Sequence, residues 1–200
     1  MRTYTIERVT GSPDWSKIPA LDVDQHLWLP SDHIAMRVQI CYDDNGFYVH
    51  MQAKEADIRA TCNAPLSLVH KDSCMEWFFS PVEGDPRYIN VEMNPNGCAF
   101  IGISSSRADN VRLCSMYEEE LFQKKTGRTV DGWEIYYTVP LSFLRVFFPG
   151  YTPVAGMVIR ANCYKCGDLT PAEHYLAWNP VTSKEPDFHR SCDFGKMILG

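Results

Sequence analysis

Two short segments, residues 74–79 and 88–94, alternate between apolar and polar side chains. A period of two is typical of a β-strand with one face in the core and the other face polar. The polar members of both strands would share one face, and they are Glu76, Asn90 and Glu92. The apolar members would share the core face, and they are Met75, Trp77, Phe79, Ile89, Val91 and Met93.

The seven residues 81–87 between these segments predict an antiparallel hairpin. If Phe79 lies opposite Ile89, then Glu76 falls opposite Glu92. Two like charges in directly opposed positions destabilise a sheet. Folding alone gives no reason for such a pair, so we expect a cation, an arginine or a polyhydroxylated ligand above it.

Strand signals recur along the rest of the chain, with turn residues between them. A hairpin is predicted from residues 37–42 and 47–53, which flank the turn Asp43-Asp44-Asn45-Gly46. That turn resembles a calcium loop only superficially. Further strands are predicted at 99–103, 111–115, 120–125, 132–139 and 153–164, and one short helix at 140–144 with Pro140 in its first turn. The pattern is that of an all-β chain.

Composition limits the classes of partner. The 200 residues with 45% hydrophobic content predict a single domain over residues 1–200. A net charge of −6 without a run of basic residues argues against nucleic acid. We also expect no membrane partner, because no apolar stretch reaches the roughly 18 residues of a membrane span. The start of the sequence has no apolar signal segment, so we expect a cytoplasmic protein, or a secreted one if an export signal precedes this sequence.

The eight cysteines are scattered, which favours reduced thiols over a disulfide framework. Cys163 and Cys166 have the spacing of a metal pair, and a zinc site would need further ligands from His174, His189 or Cys192. The simpler interpretation is that Cys163 ends a strand and Cys166 lies in the loop beyond it.

Two segments, residues 55–71 and 165–190, are longer than ordinary connections. Loops of this length in a compact domain are usually functional or disordered. The second carries several aromatic residues and two histidines, so we expect it to fold over a sheet face and present side chains.

Several motifs in order along the chain resemble one family. They are Trp15, Ile18-Pro19 and the stretches 72–78, 88–97, 132–134, 161–168, 177–180 and 186–190. Together they resemble the family 9 carbohydrate-binding modules, and best their stand-alone family 9-like branch. The resemblance implies an antiparallel β-sandwich of the DOMON-like type. It also implies non-catalytic binding of saccharides such as xylo- or cello-oligosaccharides, and leaves calcium open as a cofactor.

The resemblance also implies site residues. In the family, two tryptophans sandwich a terminal sugar, and Trp178 matches one of them by its Trp-x-Pro context. The other would lie near Val69, so Tyr88 or His70 could replace it here. Glu76, Asn90 and Glu92 would be polar contacts, with Arg107 or Arg160 as charge partners. Without the resemblance, Trp178 is equally well explained as a core or loop-anchoring residue.

Two alternatives stay open. Glycoside hydrolysis uses a pair of carboxylates, about 5 Å apart for retention, and Glu76 with Glu92 could supply them. An argument against hydrolysis is that both glutamates would lie on a regular, flat sheet face, where nothing evident raises the pKa of one of them. The second alternative is an interaction domain, such as a subunit of a larger complex, in which Arg107 or Arg160 neutralises these carboxylates and the sugar site is vestigial.

Overall fold

The structure is a computed structural model that describes residues 1–113 and 118–200. It confirms the predicted all-β sandwich, because strands dominate and the helices are short. The strands are β1 (Thr3–Arg8), β2 (Leu21–Val23), β3 (Gln25–His26), β4 (Ala35–Tyr42), β5 (Gly46–Lys54), β6 (Cys74–Ser80), β7 (Tyr88–Met93), β8 (Ala99–Ser104), β9 (Val111–Leu113), β10 (Lys125–Arg128), β11 (Gly132–Pro140), β12 (Val158–Cys166), β13 (Tyr175–Ala177) and β14 (Gly195–Leu199). The helices are α1 (Glu118–Phe122) and α2 (Leu141–Phe147), with 3₁₀ turns at Val69–Lys71, Arg107–Asp109 and Ser191–Asp193.

The strands form one curled sheet whose order is β10-β11-β5-β4-β1-β14-β12-β6-β7-β8-β9. We call β14, β12, β6, β7, β8 and β9 the front sheet, and β10, β11, β5 and β4 the rear sheet. Strand β1 belongs to both, because Thr3 to Ile6 pair with β14 while Glu7 and Arg8 pair with β4. Both pairings of β1 are parallel, and the remaining pairings along this order are antiparallel.

The core lies between the inner faces of the two sheets. Trp77 and Phe79 of β6 stack with ring centroids 3.9 Å apart, and Phe47 of β5 packs against both. Alternation therefore sends the odd-numbered residues of β6 and β7 inward, as predicted.

The predicted hairpin registers are confirmed. Phe79 lies opposite Ile89, and Glu76 lies opposite Glu92. In the rear sheet, β4 and β5 pair from Tyr42 and Phe47 outward. The Asp43 carboxylate closes their turn by accepting hydrogen bonds from the backbone N–H groups of Asn45 and Gly46, at 2.7 and 3.1 Å.

Some predicted elements are wrong. The strand predicted at 120–125 is instead the end of α1 followed by the start of β10, so the described residues contain two short helices rather than one. The reason is that the adjacent pair Leu121 and Phe122 packs inward from one helical turn, and the Phe122 ring meets that of Phe143. The strand predicted at 153–164 begins only at Val158, and Pro140 precedes α2 as its N-cap residue. Residues 114 and 115 of another predicted strand lie outside the described residues.

No helix in the described ranges has both the length and the apolar character needed to span a bilayer.

Candidate functional site

A pocket of about 320 Å³ opens on the outer face of the front sheet. The sheet supplies its floor, and both long loops supply walls, as expected for the second of them. The lining residues are Trp28, Leu68, His70, Glu76, Phe78, Glu92, Phe100, Arg107, Asn110, Arg112, Cys166, Asp168, Tyr175, Pro186, Asp187, Phe188 and His189.

The floor carries the two opposed carboxyls. Glu76 is 2% exposed and Glu92 is 4% exposed. The Cys166 thiol donates to Glu76 Oε1 at 3.1 Å, and the Asn90 amide donates to Glu92 Oε1 at 2.9 Å. In the described part of the chain, neither carboxyl lies within ion-pair distance of a lysine or an arginine.

Burial raises the pKa of both floor carboxyls, because a charge is poorly solvated there. The pKa of Glu76 rises to about 7, and that of Glu92 rises well above its usual value, with the charge of Glu76 as a second cause. Burial also raises the pKa of Asp168 at the rim to about 6. The pocket therefore offers carboxyl groups that can accept hydrogen bonds and, when protonated, donate them.

The polar rim adds amide and guanidinium groups. Asn110 Nδ2 donates to Asn90 Oδ1 at 3.0 Å, while the buried Oδ1 atom of Asn110 has no hydrogen-bond partner. The Arg112 guanidinium lies over the Phe100 ring, 4.1 Å from its centroid. Arg107 Nη1 donates to the Pro186 carbonyl at 3.2 Å. A ligand hydroxyl could satisfy the Asn110 oxygen.

An aromatic wall faces this rim. The Trp28 ring packs against Tyr175 and Phe188, with centroids 5.5 and 5.7 Å apart. Its indole N–H donates to the Ser183 carbonyl at 2.9 Å. Phe188 in turn stacks on Tyr164 at 4.1 Å. Sequence reasoning missed Trp28, because it lies outside any alternating segment and long-range contacts bring it to the pocket.

The model of carbohydrate-binding family 9 matches residues 12–199. The chain belongs to this family. A search of curated proteins found no match. Among solved structures, a protein from Bacteroides uniformis ATCC 8492, titled as a candidate carbohydrate-binding protein, superposes with a TM-score of 0.86 at 23% identity, covering 100% of this chain and 99% of that one.

A family 9 module from Caldicellulosiruptor kristjanssonii in complex with cellotriose superposes with a TM-score of 0.70 at 12% identity, covering 99% of this chain and 93% of that one. The same organism's family 9 module in complex with glucose gives a TM-score of 0.69 at 12% identity, covering 100% and 96%. At these identities the superpositions show a shared fold.

In this family 9 chain, the stacking role predicted for Trp178 does not hold. Trp178 is 3% exposed and lies in the core between the sheets. It directly follows β13, where Ala177 faces outward, so alternation turns the indole inward. A Cβ atom on Gly195 would come within 2.5 Å of this ring, so the indole fills its space closely. Val69, where the second tryptophan was expected, is buried in a 3₁₀ turn.

Of the other predicted residues, Glu76, Glu92, Arg107 and His70 line the pocket. Asn90 is buried beside Glu92 on the same face of β7 and does not line the pocket. Tyr88 is fully buried with its hydroxyl bonded to His189 Nδ1 at 2.9 Å.

The remaining prediction, a pocket role for Arg160, is wrong. Arg160 lies further along β12, opposite Ser80, and donates to the Phe194 carbonyl. Neither Arg107 nor Arg160 makes an ion pair with the floor carboxyls in the described residues, so the salt-bridged form of the interaction-domain alternative is wrong.

The metal pair at Cys163 and Cys166, which the sequence left as the less favoured alternative, is excluded by the geometry. The simpler interpretation is wrong in placing Cys166 in a loop, because β12 extends to Cys166. Residues three apart on a strand point to opposite faces, so Cys163 lies in the core while Cys166 reaches the pocket. The predicted additional ligands have other partners: His174 Nε2 is 2.7 Å from Lys165 Nζ, and His189 bonds Tyr88.

Proposed function

We propose that the pocket binds the end of an oligosaccharide, of the cello- or xylo-oligosaccharide type, without cleaving it. The observation that carries the proposal is the combination of Glu76 and Glu92 on a buried polar floor with Trp28 on an aromatic wall of the same pocket. The chain's membership of carbohydrate-binding family 9 supports it.

The chemistry of the pocket suits a sugar ring. A sugar presents C–H faces that pack on aromatic rings and hydroxyl pairs that bond carboxyl and amide groups. Trp28 and Phe100 lie on loop and sheet elements from distant parts of the chain and offer apolar surface. Glu76 and Glu92 offer hydrogen bonds from a surface shielded from water, where each bond is electrostatically stronger.

The size of the pocket favours a chain end over the middle of a polysaccharide. Its volume of about 320 Å³ lies at the small end of the range for ligand pockets. The related modules bound to cellotriose and glucose make β-linked glucose residues the first ligands to test.

The proposal is tested by isothermal titration with glucose and with cello-, xylo- and manno-oligosaccharides, in EDTA. The proteins are the wild type, Glu76→Gln and, as a matched control, Glu134→Gln on the rear sheet. We expect binding of at least one saccharide by the wild type and the control. Glu76→Gln should weaken it by about 0.5–1.5 kcal/mol, because the amide cannot reproduce every hydrogen bond of the carboxyl group. No binding across the panel, or equal binding by Glu76→Gln, would overturn the proposal.

Hydrolysis has one observation in its favour, since adjacent carboxyls with raised pKa values are common in active sites. In glycoside hydrolases, however, the two carboxyls flank the scissile bond. Here both project from one face of one hairpin, so they would lie on the same side of the sugar. Prolonged incubation with the saccharide that binds should therefore release no shorter product, and released product would favour the hydrolase.

A further inference from the structure

A pair of buried thiols lies beside Glu76, a carboxyl of the pocket floor. Cys74 of β6 lies directly opposite Cys166 of β12, and Glu76 is two residues further along β6 on the same face. The two Sγ atoms and a Glu76 oxygen all lie within 4.8 Å of one another. All three side chains are buried.

We propose that Cys74, Cys166 and Glu76 bind a thiophilic divalent cation of the zinc class, with the fourth coordination position facing the pocket. Two thiolates and one carboxylate form a donor set that zinc accepts in tetrahedral geometry. Binding is an exchange in which the cation replaces the protons of the two thiols, and that of the carboxyl when it is protonated. The proposal does not depend on saccharide binding.

The geometry needs only small side-chain adjustments. Zinc–sulfur bonds of about 2.3 Å and zinc–oxygen bonds of about 2.0–2.2 Å place two sulfurs and one oxygen about 3.5–3.8 Å apart around a tetrahedral ion. Cys166 Sγ and Glu76 Oε1 are 3.1 Å apart and would separate slightly. The remaining separations are at most 4.8 Å, and rotation of the Cys74 and Cys166 side chains can shorten them while the β6–β12 ladder keeps its register.

The surroundings leave these donors available. Outside the group itself, Cys74 Sγ makes a long contact to the Met75 carbonyl at 4.0 Å, and Cys166 Sγ makes one to the His70 carbonyl at 3.7 Å. Their other partners are each other and Glu76, and Cys166 Sγ lies 3.1 Å from Glu76 Oε1. Glu92 lies opposite Glu76, so a cation bound here would relieve the repulsion within the carboxyl pair.

The same thiols could instead form a cross-strand disulfide, but in the structure both are unbonded. The experiment therefore uses metal-free protein in a phosphine reductant. Titration with Cd²⁺ and Co²⁺ is followed through the thiolate-to-metal charge-transfer absorbance, and competition with a zinc chelator gives the zinc affinity. We expect one equivalent to bind.

Variants locate the site. Cys74→Ser should abolish the charge-transfer signal, while Cys192→Ser, which alters an exposed thiol away from the pocket, should leave it unchanged. Glu76→Gln should weaken binding by at least about tenfold. Circular dichroism confirms that each variant is folded. Absence of binding by the reduced wild type, or an unchanged signal in folded Cys74→Ser, would overturn the proposal.

Metal and saccharide binding can be separated. Cys74 does not line the pocket, so Cys74→Ser should bind saccharide in EDTA as the wild type does. Loss of metal binding with retained saccharide binding in this variant supports both proposals. Saccharide binding by a wild type that takes up no metal would overturn only the metal site.

Discussion

Trp28 is held at the pocket in a backbone conformation that a bulky side chain disfavours. Its φ is 56°, in the left-handed region that costs a non-glycine residue roughly 1–2 kcal/mol. The hydrogen bond from its indole to Ser183 and its contacts with Tyr175 and Phe188 offset this cost. Strain held in place by surrounding contacts is common at binding sites, and here it presents the ring beside the carboxyl floor.

Trp28→Ala should therefore weaken saccharide binding by about 1–2 kcal/mol, a factor of about 5–30, through loss of the aromatic surface. Isothermal titration measures the change. The matched control is Trp15→Ala, which removes a half-buried tryptophan packed on Tyr136 and His50 of the rear sheet. Equal saccharide affinity of the wild type and Trp28→Ala would show that the Trp28 ring does not contact the ligand.

A buried charge cluster lies beside the core, away from the pocket. Lys165 Nζ is 3.1 Å from Glu55 Oε2 and 2.7 Å from His174 Nε2. Burial opposes ionisation of Glu55, but Lys165 and the hydrogen bonds from Ser73 and Trp133 more than offset it, so the pKa of Glu55 is lowered. Each buried charge in this cluster is therefore stabilised by the groups that surround it.

Lys165→Met should lower the free energy of unfolding by about 3–5 kcal/mol, because it leaves the Glu55 carboxylate buried without its cation. Adding Glu55→Gln should restore part of the loss, since the amide carries no charge. Urea denaturation of the three proteins measures this. A double variant no more stable than Lys165→Met would show that the loss comes from packing instead of charge.

At the scale of elements, the β6–β7 hairpin shows what the sequence could and could not predict. Alternation alone predicted that Glu76 would oppose Glu92, because a register slip would turn Trp77 to the outer face. The burial of this pair was not predictable, because it depends on loops that return from residues 68–70 and 186–189. Trp178 was misassigned because the direction of its side chain depends on pairing between strands. Once β13 pairs with β12, Leu176 and Trp178, which are two residues apart, both face the core.

Burial of the hairpin carboxyls gives the fold a defined pH dependence. The pKa of Glu76 is about 7 in the folded protein and has a usual value of 4.5. Its contribution to the free energy of unfolding is therefore fully present below the pKa of the unfolded chain, and it is lost as pH rises through the folded pKa. Glu76→Gln removes this penalty. It should stabilise the protein by on the order of 2–3 kcal/mol more at pH 8.5 than at pH 4.5.

Urea denaturation of wild type and Glu76→Gln at several pH values measures this difference. His189 titrates in both proteins, so its effect largely cancels in the comparison. Glu92 and Asp168 interact with the Glu76 charge, so the measured trend belongs to this group of carboxyls with Glu76 at its centre. Glu83→Gln, in the exposed loop between β6 and β7, serves as the control and should show no such trend. If the difference in stability between the wild type and Glu76→Gln did not change with pH, burial would not raise the pKa of Glu76.

For the whole molecule, β1 determines whether the two sheets behave as one unit. Its first residues pair with β14 in the front sheet, and Glu7 and Arg8 pair with β4 in the rear sheet. Ile6, at the point of transfer, is fully buried in the shared core. The Tyr42 hydroxyl of the rear sheet also donates to the carbonyl of Gly200 at 2.7 Å, next to the end of β14. These links predict cooperative unfolding of both sheets.

Saccharide bound in the front sheet should therefore protect the rear sheet as well. A ligand at 100 times its Kd adds about 2.7 kcal/mol to the free energy of global unfolding. Amides that exchange only through global unfolding should slow by the same factor in β5 as in β12, even though β5 does not line the pocket. Native-state hydrogen exchange of the wild type measures the protection in β5 and in β12. Glu76→Gln, which binds the same ligand more weakly, serves as the control and should show a smaller effect in both strands. Protection confined to β12 and its neighbours would show that the front sheet opens independently of the rear sheet, and that the pairings of β1 are too weak to couple the two.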